Sequence, residues 1–242
     1  MIRGGSVFEG KPSPAGTNGK RFAEAASSAL MDAVLFDMDG VIVDSERYWV
    51  EIEEERIFPA AGIPDLQTDE ITGMNYREVY DHLDEEYDVT VDREEFLGIY
   101  EEVAHEVYTE RAALMDGFRD LCGTLRDRGT SLAIVSSSPP AWIDLVCDRF
   151  GLQEFDATVS AEDIDGPGKP EPHVYRHAAD ELALDPAECV AVEDSTHGVA
   201  SATAAGMSCI GYRGADAKEL DLTSADSVVD GPQELRAALL AR

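Results

Sequence analysis

The chain is predicted to adopt an α/β fold: a Rossmann-like parallel sheet with helices on both faces, plus an inserted all-α cap domain. Three observations predict it. Short continuous apolar runs recur along the sequence, as strands buried on both faces require. Amphipathic stretches of helical length separate most of those runs. Between the first run and the second the alternation breaks, and residues 47–114 carry only helical patterns.

Taken in order, residues 1–30 are rich in Gly, Ser, Ala and Pro and lack a periodic apolar pattern until their last few positions. They hold no apolar stretch of the kind a secretory signal needs. They read as a flexible extension, or as untranslated sequence if synthesis begins at Met31. Residues 33–36 form the first predicted strand. Helical stretches at 48–57, 76–86 and 93–113 build the cap, assigned to 47–115, with hinges near 44–46 and 116–117. The core takes 31–46 and 116–242. Its further strands are expected at 131–135, 157–159, 189–192 and 208–211, with a sixth around Val228 and Val229. Helices at 118–128, 141–150, 172–184 and 199–205 lie between them. In such a sheet, ligands bind beyond the carboxyl ends of the strands.

Composition narrows the function. The 242 residues carry a formal net charge of -31, from 50 acidic and 19 basic residues. A body so acidic repels nucleic acid and anionic membranes, which excludes both as partners. Its 44% hydrophobic content still supports a folded core rather than an acidic disordered chain. Such an excess of acid over base, with few lysines, resembles a halophile-like adaptation in which salt screens self-repulsion. The four cysteines, Cys122, Cys147, Cys189 and Cys209, form no C-x-x-C and read as buried hydrophobes in a reducing compartment. No apolar run approaches a membrane span. A cytoplasmic monomer acting on a small molecule is expected.

Polar residues collect at the strand ends. The first strand ends in D-M-D-G, bringing Asp37 and Asp39; the second ends in Ser136-Ser137-Ser138; the fourth ends in Glu193-Asp194-Ser195. Lys169 stands in the loop G-P-G-K-P-E-P, although the chain has only three other lysines, Lys11, Lys20 and Lys218. Strand ends of one parallel sheet converge in space. Asp37, Asp39, Glu193 and Asp194 offer hard oxygen ligands suited to Mg²⁺. Lys169 and Ser136 offer a cation and a hydroxyl to phosphoryl oxygens. Phosphoryl transfer needs chiefly positioning and charge neutralisation, and a carboxylate can serve as its nucleophile. Other readings fail on spacing. Counting Asp37 as the first position, Gly40 is fourth where an EF-hand loop needs glycine sixth. The triple serine lacks G-x-S-x-G, and no G-x-G-x-x-G follows the first strand. His173 and His177 are i, i+4, yet no third ligand accompanies them, so they read as helix surface.

Four motifs in order, with a helical insert after the first, make the sequence similar to the haloacid dehalogenase superfamily. The motifs are D-x-D-G-V from Asp37, an apolar strand ending in Ser136, Lys169 before Pro170, and E-D-S-x-x-G from Glu193. The resemblance lies with its helical-capped branch of β-phosphoglucomutases and sugar-phosphate phosphatases. It implies a Mg²⁺-dependent phosphatase for sugar or polyol phosphates, working through an aspartyl-phosphate. Asp37 would be the nucleophile and Asp39 the general acid and base. Mg²⁺ would be held by Asp37, the carbonyl of Asp39 and Asp194, with Glu193 nearby. Ser136, Ser137 and Lys169 would grip the phosphoryl group, and Gly198 would let the following helix approach closely. Cap residues Gly73, Asn75, Tyr76 and Arg77 would add selectivity. Trp49 stands where β-phosphoglucomutases carry a cap histidine, and Tyr76 where they carry an arginine, which weighs against a phosphomutase. D-S-E-x-x-W from Asp44, S-S-S-P from Ser136 and K-P-x-P-x-V-Y from Lys169 favour the phosphatase. A phosphomutase is the alternative, and a non-enzymatic phospho-accepting domain a more distant one.

Overall fold

The structure is a computed structural model that describes residues 31–71, 74–214 and 220–242. The extension assigned to 1–30, together with Gly73 and Lys218, lies outside the described residues. Strand β1 (Ala33–Phe36) leads into α1 (Glu46–Ile52), a π-helical turn (Glu53–Ile57) and the short α2 (Phe58–Ala60). Next come α3 (Tyr76–Glu86) and α4 (Arg93–Glu106), the latter running into a second π-helical turn (Val107–Arg111). Helix α5 (Phe118–Asp127) returns the chain to β2 (Ser131–Ser136). Then follow α6 (Pro140–Phe150), β3 (Ala157–Ser160), α7 (His173–Glu181), β4 (Cys189–Glu193), α8 (Thr196–Ala205), β5 (Ser208–Arg213), β6 (Ser227–Asp230) and α9 (Gly231–Leu240).

All six strands are parallel, in the order β3-β2-β1-β4-β5-β6. Alternate residues serve opposite faces, as the pleat dictates. Val34, Phe36, Leu132, Ile134, Val190 and Val192 face one way and pack with α5, α6 and α9. Ala33, Leu35, Ala133, Val135, Cys189 and Ala191 face the other and pack with α7 and α8. The first of these cores continues without a break into the helical insert, through Ile52, Phe58, Tyr100 and Tyr108. The cap therefore rests on the larger of the two apolar clusters. All four cysteines are free and buried. Among the described residues, no helix is long and apolar enough to cross a membrane.

Several strands and helices differ from the sequence pattern at their ends. Strands β2 and β4 extend through Ser136 and Glu193, whose backbones still pair with Ser160 and Gly211. Apolarity stops there but the hydrogen-bonded ladder does not. Helix α8 begins at Thr196, three residues before the apolar pattern, because the Ser195 side chain accepts the Gly198 N–H and caps it. Helix α7 covers less than the expected 172–184, and Ala183 takes a left-handed φ of 56° beyond its end. The first cap stretch starts earlier, at Glu46, and α1 and α4 each run into a π turn. Helix α9 was not expected: Gly231-Pro232 reads as a breaker, yet proline is well tolerated in a first turn.

Candidate active site

The sheet places the candidate site residues at one edge. β1 lies between β2 and β4, and the strand order reverses there, opening a crevice beyond the carboxyl ends. Phe36 is level with Ile134 and with Val192, so Asp37 emerges beside the ends of both neighbours. Its backbone N–H is tied to the Val192 carbonyl at 3.0 Å.

Lys169 holds the centre together. Its Nζ lies 2.6 Å from Asp37 Oδ1 and 2.6 Å from Glu193 Oε1, and donates to the Val135 carbonyl at 3.2 Å. The Lys169 side chain is 5% exposed and that of Glu193 is 0%. An unpaired buried charge would be costly, so each partner stabilises the others in place. Tyr175 donates its hydroxyl to the same Glu193 oxygen at 2.6 Å, and its ring lies 5.3 Å from the lysine nitrogen. Burial works against the charge on Lys169, but Asp37 and Glu193 outweigh it and hold the amine above the usual lysine range. Gly198 is needed for a sharper reason than helix approach. A Cβ there would sit 1.8 Å from Glu193 Oε2, inside the carboxylate that pins Lys169.

Asp37, Glu193 and Asp194 offer ligand oxygens within 4.8 Å of one another. Burial raises Asp37 well above the usual carboxylate range, only partly offset by Lys169. Burial raises Asp194 likewise, followed by the charges of Asp37, Glu46 and Glu193. Among the described residues, no donor is hydrogen-bonded to the Asp194 carboxylate. Three converging carboxylates with a single lysine among them fit a small hard divalent cation. Gly40 makes room for that arrangement. Its φ of +76° suits glycine, and a Cβ on it would lie 1.8 Å from Asp194 Oδ2.

Asp39 points elsewhere. Its Oδ1 accepts from Ser45 and, at 2.8 Å, from the Tyr108 hydroxyl; its Oδ2 accepts from Ser138 at 2.8 Å. Its carboxylate is thus engaged by hydroxyls and stands apart from the acidic trio, which leaves only its backbone for the metal role expected of it. Tyr108 belongs to the π turn after α4, and its hydroxyl receives the Trp49 indole N–H at 3.2 Å. Burial and the neighbouring Asp39 keep the Tyr108 hydroxyl protonated far above the usual tyrosine range. Trp49, the residue in place of a histidine, therefore acts on Asp39 through a tyrosine.

A cavity of about 460 Å³ opens between this edge and the cap. Ser136, Ser137, Asn75 and Tyr76 line it, as expected. Ser136 Oγ accepts the Ser138 N–H at 3.0 Å. The Asn75 amide donates to the Ser137 carbonyl and to Glu162, both at 3.3 Å. Arg77 does not line the cavity: its Nε pairs with Glu162 at 2.8 Å, in the turn after β3. His177 pairs with Glu181 on the surface of α7, beside exposed His173. Sequence reasoning gave no role to Ser45, Tyr108, Ser138 or Tyr175. Ser138 and Tyr175 lie inside the S-S-S-P and K-P-x-P-x-V-Y motifs; Tyr108 carries no local signal.

The chain matches the family model of haloacid dehalogenase-like hydrolases over residues 31–206. Hexitol phosphatase B of Escherichia coli (strain K12) is 32% identical over 191 residues, covering 74% of this chain and 82% of that protein. Phosphorylated carbohydrates phosphatase of Thermotoga maritima is 30% identical over 181 residues, covering 73% of this chain and 82% of that protein. Among solved structures, CbbY from Rhodobacter sphaeroides in complex with phosphate superposes with a TM-score of 0.71 at 25% identity, over 82% of this chain and 93% of that one. By sequence and by fold, the chain belongs to the haloacid dehalogenase-like hydrolases.

Proposed function

We propose that this hydrolase is a Mg²⁺-dependent phosphatase of small phosphate monoesters, sugar or polyol phosphates, acting through an aspartyl-phosphate. The observation that carries this reading is the division between the two aspartates. Asp37 is buried against Lys169 beside Asp194, whereas Asp39 accepts three hydroxyls and faces the cap. A nucleophile and a proton carrier need those two environments. The phosphatase relatives named above point to the same substrate class.

In the first step an Asp37 oxygen attacks phosphorus. The P–O bond to the leaving alcohol breaks, and Asp39 delivers its proton to that oxygen. In the second step Asp39 takes a proton from water as the water oxygen attacks phosphorus, and the Asp37 carboxylate is restored with release of phosphate. Lys169 and the Ser136 and Ser137 segment would hold the phosphoryl oxygens. Bound by Asp37, Asp194 and the Asp39 carbonyl, with Glu193 behind, Mg²⁺ would neutralise charge on the transferring group. Residues 47–115 act as the cap in this reading and 31–46 with 116–242 as the catalytic core. Closing the cap excludes water from the first step. Trp49 bonded to Tyr108 offers no imidazole at the cap, which supports hydrolysis over a phosphomutase reaction.

The test is phosphate release from a panel of sugar and polyol phosphates with Mg²⁺, for wild type and Asp37→Asn. Wild type is expected to turn over several of them and the variant none. Equal release by both, or none by wild type, would overturn the reading.

A further inference from the structure

All the hydrogen-bond donors of Lys169 are engaged. An ammonium group carries three N–H bonds. One goes to Asp37 Oδ1, one to Glu193 Oε1 and one to the Val135 carbonyl. To grip a phosphoryl oxygen, the same nitrogen must give one of them up. If the bond to Glu193 opens, a carboxylate with a 0% exposed side chain loses its cation. Leaving a buried charge without its partner is costly.

Tyr175 stands where it offsets that loss. It belongs to the first turn of α7, is 0% exposed, and donates to Glu193 Oε1 at 2.6 Å. That is the oxygen Lys169 uses. The other oxygen has a weaker neutral donor, the Ser195 hydroxyl at 3.3 Å. The surroundings of Tyr175 do not call for a phenol. It is the one aromatic residue among the described buried residues of its apolar cluster, and a phenylalanine would fill the same space. A buried hydroxyl costs free energy unless it is bonded, so its value lies in the bond it makes. Its ring turns about only two torsions, and packing therefore fixes the hydroxyl against the carboxylate. The loop that joins Lys169 to α7 is anchored too, since buried Ser201 of α8 donates to the Glu171 carbonyl at 2.6 Å.

We propose that Tyr175 is a positioning residue: its hydroxyl holds Glu193 in place and hydrogen-bonded while Lys169 turns an N–H from that carboxylate to a phosphoryl oxygen. This role rests on the phosphatase reading and adds to it the fate of Glu193 when the lysine turns. Tyr175 touches neither the phosphoryl group nor Asp37; it acts through Glu193.

Tyr175→Phe removes the hydroxyl alone. Glu193 still has Lys169 in the free enzyme, so the variant is expected to fold, with KM for a sugar phosphate within about threefold of wild type. Its kcat is expected to fall about tenfold, at the low end of what losing a partner behind a metal-site ligand costs. The deciding readout is the Kd of orthovanadate with Mg²⁺, by calorimetry, because vanadate takes the five-coordinate shape of the transferring phosphorus. That Kd should weaken about tenfold, in step with kcat, as for any contact made in the transition state. It counts folded sites only, so a merely structural role would lower the number of sites and leave the Kd unmoved. A Kd within about twofold of wild type would overturn the proposal and leave the phosphatase reading intact. Glu193→Gln supplies the second comparison, because no buried charge is then left behind. Adding Tyr175→Phe to it should move the vanadate Kd by less than about twofold; a tenfold change would mean that Tyr175 acts by another route and would overturn the proposal. This pair also decides the matter if Tyr175→Phe alone does not fold. No phosphate release by wild type would instead bring down the phosphatase reading, and this role with it.

Discussion

At the residue scale, the two aspartates of D-M-D-G differ because their neighbours differ. Tyr108 is the sharpest case. Its hydroxyl fixes Asp39 Oδ1 and is itself fixed by Trp49, so the proposed proton carrier is aimed by the cap. A hydrogen bond to a charged group is worth about 1.5–3 kcal/mol, or roughly 10- to 100-fold in rate when the bond matters in the transition state. Tyr108→Phe keeps the ring packing. Its kcat on an alkyl phosphate should fall by about that factor with KM little changed. First-turnover release of nitrophenol from 4-nitrophenyl phosphate, whose leaving group needs no proton, should fall far less. An equal loss on both would reduce Tyr108 to a packing residue. Tyr108 lies 69 positions from Asp39, and a tyrosine within a helical pattern reads as core, so its role was invisible in sequence. Asp37, Lys169, Glu193 and Asp194 were legible for the opposite reason: each is a charge interrupting an apolar run or a Gly- and Pro-rich loop. The buried acids also set a pH dependence. Asp37 and Asp194 are raised above their ordinary value of 3.8, so between that value and the raised one the folded state binds more protons than the unfolded state. Their contribution to stability therefore falls as pH rises through that window. In the proposed reaction Mg²⁺ would bind the deprotonated carboxylates and so would offset the loss. Millimolar Mg²⁺ is expected to raise Tm more at pH 8 than at pH 5, with about 2.7 kcal/mol gained at a hundred times its dissociation constant. Asp194→Asn should lose most of that gain; a full Mg²⁺ effect in the variant would remove Asp194 from the metal site.

At the scale of elements, α3 is the piece that joins cap to core. Asn75 caps it, accepting the Arg77 N–H at 2.9 Å, and the same side chain reaches the Ser137 carbonyl. Arg77, the second residue of α3, pairs with Glu162 in the turn after β3. Glu162 thus receives two groups from the cap on one oxygen. The Arg77 side chain is 43% exposed, so the pair contributes little to stability, about 1 kcal/mol or less. It does tie the start of α3 to the turn after β3. Glu162→Ala should leave the unfolding free energy from denaturant titration within about 1 kcal/mol of wild type. KM for the best substrate should rise several-fold, because cap closure is less favoured. A large loss of stability with KM unchanged would contradict the latch. The six strands could be read from apolar runs alone, whereas their order could not, since an all-parallel sheet admits many orders. The latch could not be read, because it joins residues 85 positions apart through exposed side chains that carry no hydrophobic pattern. The π turns were equally hidden: their pitch departs from the 3.6-residue period that identifies a helix, and the apolar positions on either side still fit it.

At the scale of the whole molecule, charge is the dominant feature. A net charge of -31 on 242 residues leaves most surface carboxylates facing one another rather than a base. The surface ion pairs that exist, such as Arg56 with Glu106 and Arg93 with Asp81, are partly exposed and weak. Lysine is nearly absent outside residues 1–30, and Lys169 is buried against Asp37, so it relieves no surface repulsion. The folded state must therefore work against its own field, and salt shortens that field. The screening length is about 10 Å at 0.1 M salt and about 3 Å at 1 M. Unfolding spreads the charges apart, so the folded state gains more from screening than the unfolded one. Raising KCl from 0.1 to about 2 M should lift Tm by several degrees, most of it below about 1 M, where the screening length still changes by ångströms. A protein held mainly by apolar burial would instead gain steadily with salting-out strength, and sulfate would far exceed chloride. The measurement is a thermal melt in matched KCl and K₂SO₄ series at equal ionic strength. Coincident curves that saturate support charge screening as the cause. A Tm indifferent to KCl would mean the acidic surface is accommodated by the fold without help from salt.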